Sequence, residues 1–95
     1  MNVSELEKIV SSKEKTLVKL GASWCGPCKQ ADIVLKKVDK EVDNKVVIID
    51  VEKSIEIGSQ FKIKNLPTFI IFQNGEVVER FNKRHSKDEF IKKLS

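Results

Sequence analysis

The eleven residues Lys19-Leu-Gly-Ala-Ser-Trp-Cys-Gly-Pro-Cys-Lys29 set the architecture of the chain, because they lead from an apolar run into a helix and contain both cysteines. Cys25 and Cys28 stand three positions apart, and Pro27 suits the first turn of a helix, where its missing N–H is not needed. Lys19 interrupts the apolar run six residues before Cys25. The purpose of the two thiols and of this one charge therefore needs an explanation.

Length and composition indicate one soluble globular domain. A chain of 95 residues can bury one modest core, so we expect a single domain over residues 1–95. No apolar run approaches the roughly 20 residues that span a bilayer. The net charge of +4 comes from 18 cations and 14 anions spread along the chain, which favours a solvated surface. We therefore expect neither a membrane nor nucleic acid among the partners.

The N-terminus indicates the compartment. Residues Met1–Glu7 contain no cationic stretch followed by an apolar one, so nothing resembles a secretory signal and we expect a cytoplasmic protein. Structural disulfides are rare in that reducing compartment, so a Cys-x-x-Cys pair there indicates catalysis or metal binding.

The hydrophobic pattern predicts four helices and four strands in the order α, β, α, β, α, β, β, α. Apolar β-branched runs indicate the strands, and capping boxes open the first and last helices. The predicted elements are a helix from the box Ser4–Glu7 to about Ser12, a strand at Thr16–Ala22, a helix from Pro27 to about Val42, a buried strand at Val46–Val51, a short helix capped by Ser54, strands at Thr68–Phe72 and Val77–Phe81, and a helix from the box Ser86–Glu89.

These elements predict an α/β fold with a mixed four-stranded sheet and helices on both faces. Strands that a helix joins are expected to pair in parallel, whereas the Asn74-Gly75 turn makes the last two strands an antiparallel hairpin. Sites in such sheets form beyond the carboxyl ends of the strands. Cys25 follows the first strand at that place.

The spacing of the cysteines predicts two thiols with different roles. Helical geometry puts residues i and i+3 about 5 Å apart, so Cys25 and Cys28 can close a disulfide with little backbone movement. Cys25 faces the unpaired amides and positive dipole end of the helix, which favours its thiolate, whereas Cys28 is more shielded. Cys25 would attack a partner's disulfide, and Cys28 would then attack Cys25 and release the reduced partner.

The neighbouring residues fit this exchange, but other uses of the thiols remain open. Gly26 leaves space for an incoming chain, Pro27 fixes the turn, and Trp24 offers a flat apolar rim. The pair could instead be half of a zinc site, for which only His85 remains as a further ligand. It could also hold zinc or an iron–sulfur cluster between two chains, or be buried and inert.

Leu66-Pro67-Thr68 is the second candidate feature, since a proline that opens a strand in a sheet needs an explanation. A cis Leu66–Pro67 bond would make a tight bend next to the cysteines and leave the Leu66 backbone free to pair with a partner's extended segment. An ordinary trans proline in an edge strand is the alternative.

Three motifs together resemble the thioredoxin family: Trp24-Cys-Gly-Pro-Cys-Lys29, Leu66-Pro-Thr68 and Asn74-Gly-Glu76. The resemblance covers nearly the whole chain. It implies a thioredoxin fold with four strands, or five if Met1-Asn-Val3 forms the usual leading strand.

The resemblance also implies a general protein-disulfide reductase, with Cys25 as nucleophile, Cys28 as resolving thiol and a cis Pro67 beside them. Its partners would be client proteins that carry disulfides and a thioredoxin reductase that restores the dithiol, and no bound cofactor is implied. We expect a monomer. A binding subunit of a larger assembly, or a dedicated electron carrier for one target system, is the alternative.

Lys19 departs from the family pattern, which usually has a buried aspartate there, thought to assist proton transfer at the second cysteine. The lysine that usually partners that aspartate falls at Ile48, so we expect one cation where the family has an ion pair. A neutral Lys19 could take the Cys28 proton, whereas a charged one would stabilise the thiolate. Alternatively, Lys19 reaches the surface along its aliphatic stem and touches nothing.

Lys83 stands where the family usually has a glycine near the substrate groove. Together with Arg84 it makes that rim bulkier and more basic. We therefore expect clients with acidic surface beside the target disulfide, and on-rates that fall as salt rises. A merely solvated loop is the alternative.

Overall fold

The computed structural model describes residues 1–95 and has the predicted order of four helices and four strands. The elements are α1 (Val3–Ile9), β1 (Thr16–Gly21), α2 (Gly26–Glu41), β2 (Val46–Asp50), α3 (Ile55–Gln60), β3 (Thr68–Gln73), β4 (Glu76–Phe81) and α4 (Lys87–Lys93). None of the four helices combines the length and the apolar composition that crossing a bilayer requires.

The strands form one mixed sheet in the order β2, β1, β3, β4, which confirms the predicted fold class with four strands. Met1–Val3 adds no leading strand, since α1 begins at Val3. β1 and β2 pair in parallel, with Lys19 beside Ile48. β3 pairs antiparallel with β1, so the expectation of parallel pairing after every helix was wrong. The helix before β3 has only six residues, about 9 Å, and does not carry the chain back along the sheet.

The hairpin of β3 and β4 turns at Asn74-Gly75, as predicted. The φ angles of Asn74 and Gly75 are 54° and 81°, and positive values at both positions are typical of the type I′ turn that matches strand twist. The two strands pair antiparallel, with a register irregularity between Ile71 and Phe72.

Each face of the sheet carries its own apolar core, because successive side chains of a strand point to opposite faces. α1 and α3 cover one core, and α2 and α4 cover the other. Leu17 packs in the core beneath α2 and α4. Lys19 lies two positions further along β1 and therefore projects to the same face as Leu17. The strand thus puts a charged side chain beneath the helix that carries the cysteines.

The first helix begins earlier than the sequence predicted. Its capping box consists of Asn2 and Glu5, not of Ser4 and Glu7. The backbone N–H of Glu5 donates to Oδ1 of Asn2 at 2.8 Å, and the N–H of Asn2 donates to Oε1 of Glu5 at 3.1 Å. The helix then ends at Ile9.

Two further local predictions were wrong. β2 is only partly buried, because it forms an edge of the sheet, and Ile48 in its middle is exposed. Ser54 precedes α3 at the capping position, but its side chain makes no capping hydrogen bond.

Candidate active site

The two cysteines lie where β1 leads into α2. Cys25 is the N-cap residue of α2, and the backbone N–H of Cys28 donates to its Sγ at 3.2 Å. Pro27 occupies the first turn, as predicted. The Cα atoms of Cys25 and Cys28 are 5.2 Å apart and their sulfur atoms are at disulfide distance. Two sulfur atoms held in this way can exchange two electrons with a partner.

The cysteine pair is approached from one side. Cys28 is 1% exposed, and Cys25 is 6% exposed. A Cβ added to Gly26 would meet nothing within 4 Å, and the Trp24 side chain beside it is 69% exposed. A partner can therefore come close over Trp24 and Gly26, whereas Cys28 faces the interior.

The Leu66–Pro67 bond is cis, as the resemblance to the thioredoxin family implied. Leu20 of β1 pairs with Thr68 of β3, so the bend at Pro67 lies at the sheet edge where β1 ends and the cysteines follow. The side-chain amide of Asn82 donates to the Pro67 carbonyl at 3.2 Å and to the Thr68 hydroxyl at 2.9 Å. The segment after β4 thus holds the proline bend at this edge.

Lys19 is buried and has a counter-ion that the sequence pattern did not predict. Its side chain is 4% exposed, and its Nζ lies 2.7 Å from Oδ1 of Asp32 in α2. This Oδ1 is buried and no donor meets it with hydrogen-bond geometry, so the contact is a close ion pair without a well-directed hydrogen bond. The alternative that Lys19 reaches the surface is therefore wrong. So is the expectation of a cation without an ionic partner.

The pattern of α2 explains why Asp32 was missed. Polar residues of an amphipathic helix normally belong to its solvent face, and Asp32 fits that reading. Asp32 follows Cys28 by four positions, however, and therefore lies one turn further along the same face. Two patterns taken together could have revealed Asp32: its place on the helix face of Cys28, and a lysine on the strand face that lies beneath α2.

Gly21 allows Lys19 and Cys28 to approach each other. A Cβ on Gly21 would lie 2.6 Å from Nζ of Lys19 and 2.9 Å from Sγ of Cys28, closer than side chains tolerate. Nζ and Sγ are therefore at most the sum of these distances apart, about 5.5 Å. The buried ammonium lies beneath the inner sulfur of the pair.

A surface pocket of about 360 Å³ adjoins this ion pair. Its charged lining residues are Lys19 and Asp32 together with Lys29 and Asp50. Lys29 is exposed on α2, and Asp50 ends β2. The pocket connects the buried charges to the surface of the protein.

The basic residues Lys83 and Arg84 follow Asn82 and therefore lie beside the Pro67 bend. The Arg84 guanidinium donates to the side-chain oxygen of Gln30 in α2, and Lys83 is exposed. This contact puts Arg84 between the proline bend and the helix that carries the cysteines.

No group of three or more His, Cys, Asp and Glu side chains is placed to hold a metal ion. His85, the further ligand considered for zinc, stacks on Phe81 with 4.7 Å between the ring centres. The chain by itself therefore provides no complete ligand set for a structural zinc site.

The whole chain matches one protein family. The family model described as Thioredoxin matches residues 1–95. A chloroplastic thioredoxin Y of Oryza sativa subsp. japonica is 36% identical over 94 residues, which cover 96% of this chain and 56% of that protein. A thioredoxin of Mycoplasmoides gallisepticum is 37% identical over 81 residues, which cover 83% of this chain and 80% of that protein.

Two further similarities concern a fused protein and a solved structure. A bifunctional thioredoxin reductase/thioredoxin of Mycobacterium leprae is 34% identical over 89 residues, which cover 92% of this chain and 19% of that protein. A mutant thioredoxin from Halobacterium salinarum NRC-1 superposes with a TM-score of 0.87 at 27% identity, over 99% of this chain and 86% of that one. The chain thus spans little more than half of the Oryza relative but about four fifths of the Mycoplasmoides one.

Proposed function

Because the chain belongs to the thioredoxin family, we propose that it is a thiol–disulfide oxidoreductase that reduces disulfides in client proteins. The observation that carries this proposal is the Cys25–Cys28 pair, at disulfide distance at the N-terminus of α2. The relatives that carry the name thioredoxin support the same activity, and they do not favour an accessory subunit whose thiols are incidental.

The proposed reaction has two exchange steps. The Cys25 thiolate attacks one sulfur of the client disulfide, which forms a mixed disulfide and releases the other client sulfur as a thiolate. Cys28 then loses its proton, and its thiolate attacks Sγ of Cys25. This step closes the Cys25–Cys28 disulfide and expels the second client thiolate. The client gains two electrons, and the chain loses two.

The environments of the two sulfur atoms support these separate roles. Cys25 is the N-cap residue of α2, where the Cys28 N–H and the helix dipole stabilise its thiolate. Cys28 is almost completely buried, so a client would reach it only with difficulty, whereas the mixed disulfide on Cys25 is adjacent. Attack by Cys25 and resolution by Cys28 therefore suit the geometry.

Clients would bind on the rim around Cys25. We assign Trp24, Gly26 and Pro27 to its apolar part, since Trp24 is exposed and Gly26 leaves open space. The Leu66 backbone next to the cis Pro67 would pair with an extended segment of the client.

The wider role follows from the same chemistry. A thioredoxin reductase would restore the dithiol, and the fusion of both names in the Mycobacterium leprae relative supports this partner. We propose that the protein carries electrons in this way in the cytoplasm, as a monomer and without a bound cofactor, and contributes to redox homeostasis there.

Reduction of insulin disulfides tests the proposal, with a thioredoxin reductase or a small dithiol as electron source. The wild type should accelerate insulin reduction, and Cys25→Ser should abolish the acceleration. Cys28→Ser should still form the first bond and accumulate a covalent adduct with a disulfide client, because nothing resolves it. The double variant should form no adduct. Unchanged insulin reduction by Cys25→Ser would contradict the proposal.

A further inference from the structure

The ion pair of Lys19 and Asp32 is not needed by the two exchange steps as written, yet it lies next to one of the reacting sulfur atoms. Burying two opposite charges costs desolvation, and replacing such a pair by apolar residues is often neutral or stabilising. Asp32 is 31% exposed in its side chain, whereas Lys19 is almost completely buried. Stability alone therefore gives little reason to keep an ammonium beneath Cys28.

The position of the ammonium indicates an electrostatic effect on Cys28. Its Nζ is within about 5.5 Å of the Cys28 Sγ, and both groups are shielded from water. Opposite charges at this separation interact strongly in a protein interior. Such an interaction shifts a titration midpoint by roughly one to two pH units. Asp32 opposes the effect, because its carboxylate carries the opposite charge and lies 2.7 Å from Nζ.

We propose that Lys19 and Asp32 are positioning residues that set the protonation of Cys28. The Lys19 ammonium favours the Cys28 thiolate, and the Asp32 carboxylate limits this effect. The inference rests on the proposed function for its purpose, since the resolving step requires a Cys28 thiolate.

The step affected is the loss of the Cys28 proton. The S–H bond breaks, the proton passes to solvent, and the electron pair stays on Sγ for attack on Cys25. No oxidant or reductant enters at this point. When the disulfide is later reduced, Cys28 leaves as a thiolate, and the same ammonium stabilises it.

The other charged groups facing the pocket are Lys29 and Asp50. Lys29 is exposed to solvent, which screens its charge. The Asp50 carboxylate accepts a hydrogen bond from the backbone N–H of Glu52 at 2.8 Å and is thereby held by its own loop. The two have opposite signs, so Lys19 and Asp32 remain the pair that acts on Cys28.

The test is a titration of Cys28 alone, in the Cys25→Ser background, followed by the ¹³Cβ chemical shift of labelled cysteine. Lys19→Met should raise the titration midpoint by about one to two pH units. Asp32→Asn should lower it, because the ammonium then acts without its counter-ion. In the chain with both cysteines at alkaline pH, Lys19→Met should shift the dithiol–disulfide equilibrium about tenfold towards the disulfide, about 30 mV.

Matched controls separate this effect from net charge. Lys36→Met and Asp39→Asn make the same charge changes at exposed positions of α2 and should leave the midpoint unchanged within a few tenths of a unit. A purely structural ion pair would change the melting temperature in both site variants but would not move the midpoint in opposite directions. Shifts in the same direction, or no shift, would overturn the proposal.

Two provisions keep the test decisive. If Lys19→Met does not fold, Asp32→Asn carries the test by itself, and an unchanged or raised midpoint refutes the proposal. The titration needs no client, so its outcome stands even if insulin reduction fails. A chain that does not reduce insulin but shows both shifts would refute the proposed function and leave the charge effect established.

Discussion

Lys19 shows that a buried charge can be recognised in a sequence more easily than its ionic partner. Strand alternation directs it beneath α2, where the family pattern usually has an aspartate. A cation at that place needs an anion, and Asp32 supplies it from the helix above. The sequence predicted that position 19 matters, but the ionic partner depends on how α2 sits on the sheet, which no local pattern contains.

Gly21 is the residue that makes this arrangement possible, and replacing it should be costly. The added methyl of Gly21→Ala would overlap the end of Lys19, which can move, and the Cys28 sulfur, which the disulfide holds. We expect a loss of about 1 to 3 kcal/mol in the free energy of unfolding, as for other overpacked sites. Chemical denaturation of the oxidised protein measures it.

Gly26→Ala is the matched control, because its new methyl meets nothing within 4 Å. Its free energy of unfolding should stay within about 0.5 kcal/mol of the wild type, as for most exposed substitutions. Equal losses in the two variants would show that the methyl at position 21 is accommodated and that the close approach is not a constraint.

The two capping boxes show how far the start of a helix can be predicted from the sequence. Ser86 and Glu89 match the sequence prediction, because no competing box lies nearby. At the first helix, two boxes fit the pattern, and packing selects the earlier one. The N–H of Val3 donates to the Glu56 side chain at 3.2 Å, and the Val3 side chain packs on the core beneath α1. That choice depends on α3, more than fifty residues away.

The capping box of α4 predicts a pH-dependent stability. The backbone N–H and hydroxyl of Ser86 hold the pKa of Glu89 below its ordinary value of 4.5. A lowered pKa means that Glu89 stabilises the fold above the ordinary value, and that this contribution disappears as the pH falls through the lowered pKa. Glu89→Gln should therefore lower the melting temperature at neutral pH by a small amount and leave it unchanged in strong acid.

The exposed Glu7→Gln in α1 removes the same charge without a capping bond and is the control for Glu89→Gln. Melting followed by circular dichroism over the acid range compares the two. A constant difference between wild type and Glu89→Gln at all pH values would mean that the carboxylate charge has no part in the cap.

Across the whole molecule, the predictable features are those that a short window of sequence determines. Periodicity gives the order of the eight elements, and the Asn74-Gly75 turn gives the hairpin. The features that were missed depend on neighbours distant in sequence. β2 is partly exposed because nothing pairs with its outer side, and β3 runs antiparallel to β1 because a six-residue helix precedes it. The cysteine pair was predictable because its spacing alone brings the sulfur atoms together.

The charge of the molecule should affect how fast it meets its clients, because the excess of cations includes Lys83 and Arg84 at the proposed client rim. Arg84 contacts Gln30 on α2, which directs part of the positive field to the side of the cysteines. Charge reversal of both residues, Lys83→Glu with Arg84→Glu, should slow the reduction of an acidic client several-fold at low salt, and the rates should converge as salt screens the field.

The control variant, Lys36→Glu with Lys37→Glu, makes the same change of net charge on the exposed face of α2. Stopped-flow reduction rates at several salt concentrations distinguish the two variants. If the control slows as much as the rim variant, net charge and not the rim determines the rate. If the wild-type rate does not change with salt, Lys83 and Arg84 do not steer clients.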